Sequence, residues 1–270
     1  MTSPPTAQLE KHRSYWLRSQ RPLQGLFFLL PMVALYELGT LIYATDQTNG
    51  ATRYIYARSL LSDFFELLGV TGYYLPGLLV LVVLFSLHLV KRDPWRLEPR
   101  LYALMWAESV ILALPLFVYA LVLFRQPVTE TAMSLSDIAA TNTLAGPGGG
   151  HLSQDGWQAR LVFSIGAGIY EELLFRLIGI ALLHLVLVDV LALPRYLGAI
   201  GAIGLSALAF SVYHFSEDNP FTISKCLFYT GAGIYFAAVY VLRGFGIVAG
   251  THAAYDVIVV LLQAAQNTET

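Results

Sequence analysis

Long apolar runs separated by short polar breaks dominate the chain, and the lengths of those runs predict helices that cross a membrane. Residues 25–44 are a run of 20; at about 1.5 Å per residue it matches a hydrocarbon core about 30 Å thick. Glu37 is its only charge, and Pro31 is a point where the helix can kink. Residues 59–68 put Asp63 and Glu66 on one side and Leu and Phe on the other, the pattern of an interfacial amphipathic helix. Residues 73–90 form a second span stopped by Lys91-Arg92-Asp93-Pro94, and 101–124 a third, with Glu108 inside it and Pro115 as a second kink point.

Residues 125–156 are polar, rich in Ser and Thr, and end in Gly146-Pro147-Gly148-Gly149-Gly150. No Gly-Lys-Ser/Thr follows those glycines, so the stretch reads as a flexible polar loop and not as a phosphate cradle. The run 157–193 is 37 residues long, roughly 55 Å as helix and too long for one untilted crossing. The expected break lies just after Arg176, near Gly179, giving a fourth and a fifth span. Residues 196–215, 223–242 and 246–263 complete a layout of about eight transmembrane helices.

Composition agrees with that layout. The chain is 56% hydrophobic and 13% charged, with a mean hydropathy of +0.61, whereas soluble domains average about 25% charged residues. The fold class is an all-α integral membrane protein. A net charge of −2 provides no basic surface for nucleic acid. The one cysteine, Cys226, excludes an internal disulfide and any multi-cysteine metal site, and reads as a packed thiol.

Lysines and arginines alternate between breaks. Residues 1–24, a retained amphipathic lead-in, carry Lys11, Arg13, Arg18 and Arg21, and the 91–100 break carries Lys91, Arg92, Arg96 and Arg100. The other breaks hold only Arg53 and Arg58, then Arg125. The positive-inside rule puts the N-terminus in the cytoplasm and residues 171–176 toward the cytoplasmic half. Short breaks and the lack of a targeting extension suit a bacterial inner membrane.

Three polar insertions interrupt the later spans. Ionised groups in hydrocarbon cost several kcal/mol each unless paired, so they are functional candidates by default. In Glu171-Glu172-Leu173-Leu174-Phe175-Arg176 the second glutamate and the arginine are four apart and share a helix face, while Glu171 points about 100° away. Glu172 can be neutralised by Arg176, leaving Glu171 to accept a proton. Phe210-Ser211-Val212-Tyr213-His214 ends the sixth span with an imidazole, and His252 and Asp256 share a face of the eighth. Each alone is weak: a lone membrane histidine is more often a helix-bridging hydrogen bonder, and a lone Glu–Arg pair is often structural. Together they make a set suited to water activation, with one glutamate–histidine pair to deprotonate water and a second histidine with a carboxylate to polarise a carbonyl. Ser164 and Ser211 lie outside any Gly-x-Ser-x-Gly context.

Glu-Glu-x-x-x-Arg, Phe-x-x-x-His and His-x-x-x-Asp, in that order over residues 157–262, resemble the CPBP intramembrane proteases. That family, also called Abi, comprises CaaX prenyl endopeptidases of the Ras-converting type and bacterial bacteriocin-processing or self-immunity relatives. The resemblance implies a CPBP-type catalytic core over 157–264, a glutamate-dependent endopeptidase without a metal, a cavity opening toward the cytoplasm, and a membrane-associated peptide or protein substrate. It implies Glu171 as general base, His214 as the group that orients or assists the water, and His252 with Asp256 as the oxyanion side. Glu172, Arg176 and Phe210 would support the site. Ras-converting enzymes carry Asn where Asp256 stands; an ionised Asp would repel an oxyanion, so Asp256 must be protonated or must orient His252. The bacterial branch accepts Asp at this position.

Zinc held by Glu171, His214 and His252 is the mechanistic rival, since two His and one Glu form a catalytic zinc set. A non-catalytic scaffold or immunity protein is the rival from another class. A transporter is disfavoured by the absence of an inverted-repeat pattern. Glu37 and Glu108 read as inter-helix hydrogen bonders or cavity-edge groups, and His88, His184 and Asp189 as groups that snorkel at span ends. Trp16, Trp95, Trp157 and Tyr196 read as an aromatic belt, and 217–220 as an acidic turn.

Overall fold

A computed structural model describes residues 15–44, 55–124, 156–216 and 219–267. The polar loop expected at 125–156 lies outside the described residues except for Gly156, as do the first 14 residues of the lead-in and the acidic pair Glu217 and Asp218. The described residues contain no strand; beyond a short helical segment at 15–19 they form α1 Pro22–Tyr43, α2 Tyr56–Leu67, α3 Leu75–Lys91, α4 Pro99–Leu123, α5 Trp157–Val190, α6 Arg195–Tyr213, α7 Ile223–Arg243 and α8 Phe245–Asn267. An all-helical architecture is what hydrocarbon requires, because every backbone donor and acceptor then finds its partner within its own segment.

Six of these, α1, α4, α5, α6, α7 and α8, are long and apolar enough to cross a membrane. α3 is equally apolar but has 17 residues. Six stand against the eight expected: one of the two differences is the shorter α3, and the other lies in α5. Its 34 residues continue from Trp157 to Val190 without the break expected near Gly179. Two π-helical stretches, Leu173–Ile180 and Leu185–Val190, are set into the helix instead. Wider π turns, frequent at functional sites, change which face each residue presents while the backbone ladder continues. The Phe175 carbonyl, in the first π stretch, accepts from Ser206 Oγ of α6 at 2.7 Å.

α8 is the axis of the bundle: it is mostly buried, whereas α4 is mostly exposed. It packs on α5, α4, α7 and α1. The α5–α8 approach is closest at Gly168, where a Cβ would lie 2.6 Å from the Ala253 nitrogen and 2.8 Å from the Ala249 oxygen. Small residues at such crossings let two membrane helices meet backbone to backbone. α1 runs antiparallel to α5, with Gly39 against Val162 and Tyr36 against Gly166. Outward faces carry Leu38, Ile111, Val122 and Ile200, all more than 60% exposed, as lipid-facing surface requires.

At the end nearest the N-terminus, Arg18 pairs with Glu98, and Arg21 lies 3.8 Å from Asp93. Arg243, 3% exposed, holds Glu108 at 2.5 Å through Nε while stacking on Trp16. Gly244, with φ of +82°, makes the reversal from α7 into α8. His88 is 1% exposed and meets the Trp95 ring edge-on at 4.4 Å. It is packed beneath the Trp95 ring instead of snorkelling. The other two groups read as snorkelling differ from it: Asp189 is exposed and His184 half-buried.

Candidate functional site

Glu171 and Glu172 close the regular α-helical part of α5, and Arg176 follows inside the π stretch. The Arg176 guanidinium is fully buried; its Nε lies 3.1 Å from Glu172 Oε2 and its Nη2 donates to the Gly233 carbonyl of α7 at 3.3 Å. The Phe210 ring lies 4.2 Å and the Phe236 ring 5.4 Å from the cation, replacing lost hydration with π faces. These partners turn a charge that would otherwise be costly in hydrocarbon into a fixed strut.

Glu172 has a second contact. Its Oε1 lies 2.8 Å from His252 Nδ1. With Nδ1–H donating to that carboxylate, His252 Nε2 is delivered into the site, and the Phe236 ring stacked on the imidazole at 4.5 Å holds the plane. His252 Nε2 then lies 3.6 Å from Asp256 Oδ2 and 3.9 Å from Glu171 Oε2.

His214 is the C-cap of α6. Its Nδ1 lies 2.7 Å from the Phe210 carbonyl. A carbonyl only accepts, so Nδ1 carries the hydrogen and Nε2 keeps its lone pair. That Nε2 lies 3.7 Å from Glu171 Oε2. Tyr229 stacks on the imidazole at 4.3 Å, and Asn219 donates to the His214 carbonyl at 2.7 Å and to the Tyr229 hydroxyl at 3.0 Å. Lys225 Nζ in turn donates to Asn219 Oδ1 at 2.6 Å.

The structure thus brings Glu171, His214, His252 and Asp256 to one point, with Glu172, Arg176 and Phe210 directly behind them. Glu171 Oε2 has no hydrogen-bond partner, although it is buried. The two imidazole nitrogens facing it are too far for direct hydrogen bonds and near enough for one water to bridge. A cavity of about 20 Å³ lined by His214, His252, Asp256, Tyr229 and Tyr255 adjoins them, room for a single water. Among the described residues no group of three His, Cys, Asp or Glu side chains has the arrangement of a metal site.

Four contributors were not legible as site residues. Tyr213 donates to Glu171 Oε1 at 3.3 Å, Phe236 flattens His252, and Asn219 and Tyr229 fix His214. Tyr213 carried a signal, since it precedes His214 directly; Phe236 resembled any core aromatic. Glu37 receives the Tyr170 hydroxyl at 2.6 Å and lies 3.6 Å from Arg58, behind the site and not in it. Ser211 Oγ donates to the Cys226 carbonyl at 3.4 Å.

Residues 153–258 match the family model described as type II CAAX prenyl endopeptidase, Rce1-like. That stretch contains all three motifs and every residue of the cluster. Comparison with curated proteins and with solved structures gave no match.

Proposed function

We propose, from the match of residues 153–258 to the model described as type II CAAX prenyl endopeptidase, Rce1-like, that the chain is an intramembrane endopeptidase in which Glu171 and His214 activate water without a metal. The observation that carries this is the unpartnered Glu171 Oε2, 3.7 Å from His214 Nε2 and 3.9 Å from His252 Nε2. Water in that gap donates one hydrogen to Glu171 Oε2 and the other to the His214 Nε2 lone pair, which turns an oxygen lone pair toward a peptide carbonyl.

As the water oxygen bonds to the carbonyl carbon, its proton passes to Glu171 and the carbonyl oxygen becomes an oxyanion. His252, protonated at Nε2 as well as at the Nδ1 held by Glu172, and Asp256 in its protonated form each donate a hydrogen to that oxygen. Glu171 then gives its proton to the departing nitrogen as the carbon–nitrogen bond breaks. The substrate is a membrane-associated peptide or protein. Leu177 lines a cavity shared with Arg21 and Lys91 at the basic end, and Glu171 is six residues, about 9 Å of helix, away. This supports a site in the half of the bundle that the charge asymmetry assigns to the cytoplasm.

The test compares membrane peptides from cells carrying the wild type and Glu171→Gln. Processing should stop while the variant still inserts and stays folded; unchanged processing or immunity would favour a non-catalytic scaffold. Zinc on Glu171, His214 and His252 is the rival mechanism, so the purified enzyme is treated with a chelator: full activity is expected, and loss restored only by zinc would overturn the metal-free step.

A further inference from the structure

Glu171 has two oxygens, and the structure treats them differently. Oε2 faces the imidazoles, while Oε1 accepts from the Tyr213 hydroxyl at 3.3 Å. That hydroxyl is itself held, because it accepts from the Ala57 backbone N–H in the first turn of α2 at 2.9 Å. The phenol ring is fixed by a stack with Tyr56 at 5.6 Å and an edge contact with Phe175 at 5.2 Å.

α2 is anchored just there. Arg58, 5% exposed, lies 3.6 Å from Glu37 Oε2, donates to the Tyr73 carbonyl at 2.5 Å, and sits over the Tyr73 ring. Ile55, 3% exposed, occupies the space beside Gly166. Beyond this turn the helix is much less engaged: Phe64, Leu67 and Leu68 are 54%, 83% and 61% exposed. One end of an amphipathic helix outside the Rce1-like stretch therefore reaches the candidate base through a single tyrosine.

We infer that Tyr213 is a positioning residue for hydrolysis, holding Glu171 Oε1 so that Oε2 is the oxygen that takes the proton, and that the Ala57 N–H of α2 fixes Tyr213 for this purpose. The inference rests on the proposed protease reading. A carboxylate with one oxygen tethered cannot rotate its free oxygen away from the water, so the tether acts on turnover and not on substrate binding. Losing one hydrogen bond of this kind corresponds to roughly a 2- to 12-fold effect.

The experiment uses Tyr213→Phe, which keeps the ring and its stacking and deletes only the hydroxyl. A membrane peptide whose processing depends on Glu171 serves as the probe, with enzyme reconstituted in vesicles. Turnover should fall about 2- to 12-fold with the half-saturating substrate concentration unchanged, and amide hydrogen exchange at Ala57 should accelerate. Wild-type turnover, or a change confined to half-saturation, overturns the positioning role, and unchanged exchange at Ala57 overturns the part assigned to α2. Those results leave the protease standing if Glu171→Gln is inactive. If Glu171→Gln still processes peptides, the protease reading and the role of Tyr213 fall together.

Discussion

Gly168→Ala is the smallest change that separates the two helices carrying the site. The added Cβ would meet the Ala253 nitrogen at 2.6 Å, where ordinary contact begins at 3.4 Å, so α5 and α8 must part by about 0.8 Å. Neither obstacle is a flexible side-chain end: one is backbone and the next, the Ala253 Cβ at 2.7 Å, cannot rotate away. Overpacking of this kind costs about 1–3 kcal/mol, partly masked by the roughly 0.5–1 kcal/mol that Ala gains over Gly within a helix. Gly204→Ala cancels that masking term, because Gly204 lies in α6 with nothing within 4 Å of its Cβ position. The comparison to make is between these two variants, by thermal unfolding in detergent and by peptide processing. Gly168→Ala should be about 1–3 kcal/mol less stable than Gly204→Ala. Since Glu171 lies about one turn from Gly168 and His252 is next to Ala253, misplacement approaching 1 Å should cost at least tenfold, and up to roughly 10²-fold, in turnover. Equal stability and equal activity of the two variants would refute the claim that the α5–α8 approach sets the site geometry.

Further substitutions probe the groups behind and opposite Glu171. Arg176→Met leaves Glu172 buried with half its compensation gone and should destabilise by about 3–5 kcal/mol; the double change Glu172→Gln with Arg176→Met should recover most of that loss on the same detergent unfolding assay. Asp256→Asn keeps a hydrogen-bond donor beside His252 and should retain turnover within about tenfold, whereas Asp256→Val should lose roughly 10²-fold or more; equal losses in a peptide-processing assay would remove Asp256 from the oxyanion side.

How far the sequence could be read depended on the range of the interaction. Glu172–Arg176 and His252–Asp256 are four apart on single helices, so helical spacing alone placed each pair on one face, and the structure has them at 3.1 Å and 3.6 Å. The second partner of Glu172, His252, lies 80 residues away. No periodicity encodes that distance, because it is set by the backbone contact at Gly168. The Tyr213–Ala57 bond spans 156 residues and depends on where the first turn of an amphipathic helix docks, which hydropathy does not report. In α5 the apolar run of 37 residues exceeds the hydrocarbon thickness yet continues as one helix with π stretches in place of a break, since a span longer than the hydrocarbon can tilt instead of splitting. His88 shows the same limit, since nothing local said that Trp95 would cover it.

Reconstituted enzyme incubated with membrane peptides in water enriched in oxygen-18 tests the account most directly, because hydrolysis leaves one solvent oxygen in each new C-terminal carboxylate. The account predicts singly labelled fragments with the wild type and none with Glu171→Gln of equal abundance and thermal stability. Labelled fragments forming at wild-type rates in Glu171→Gln would contradict it.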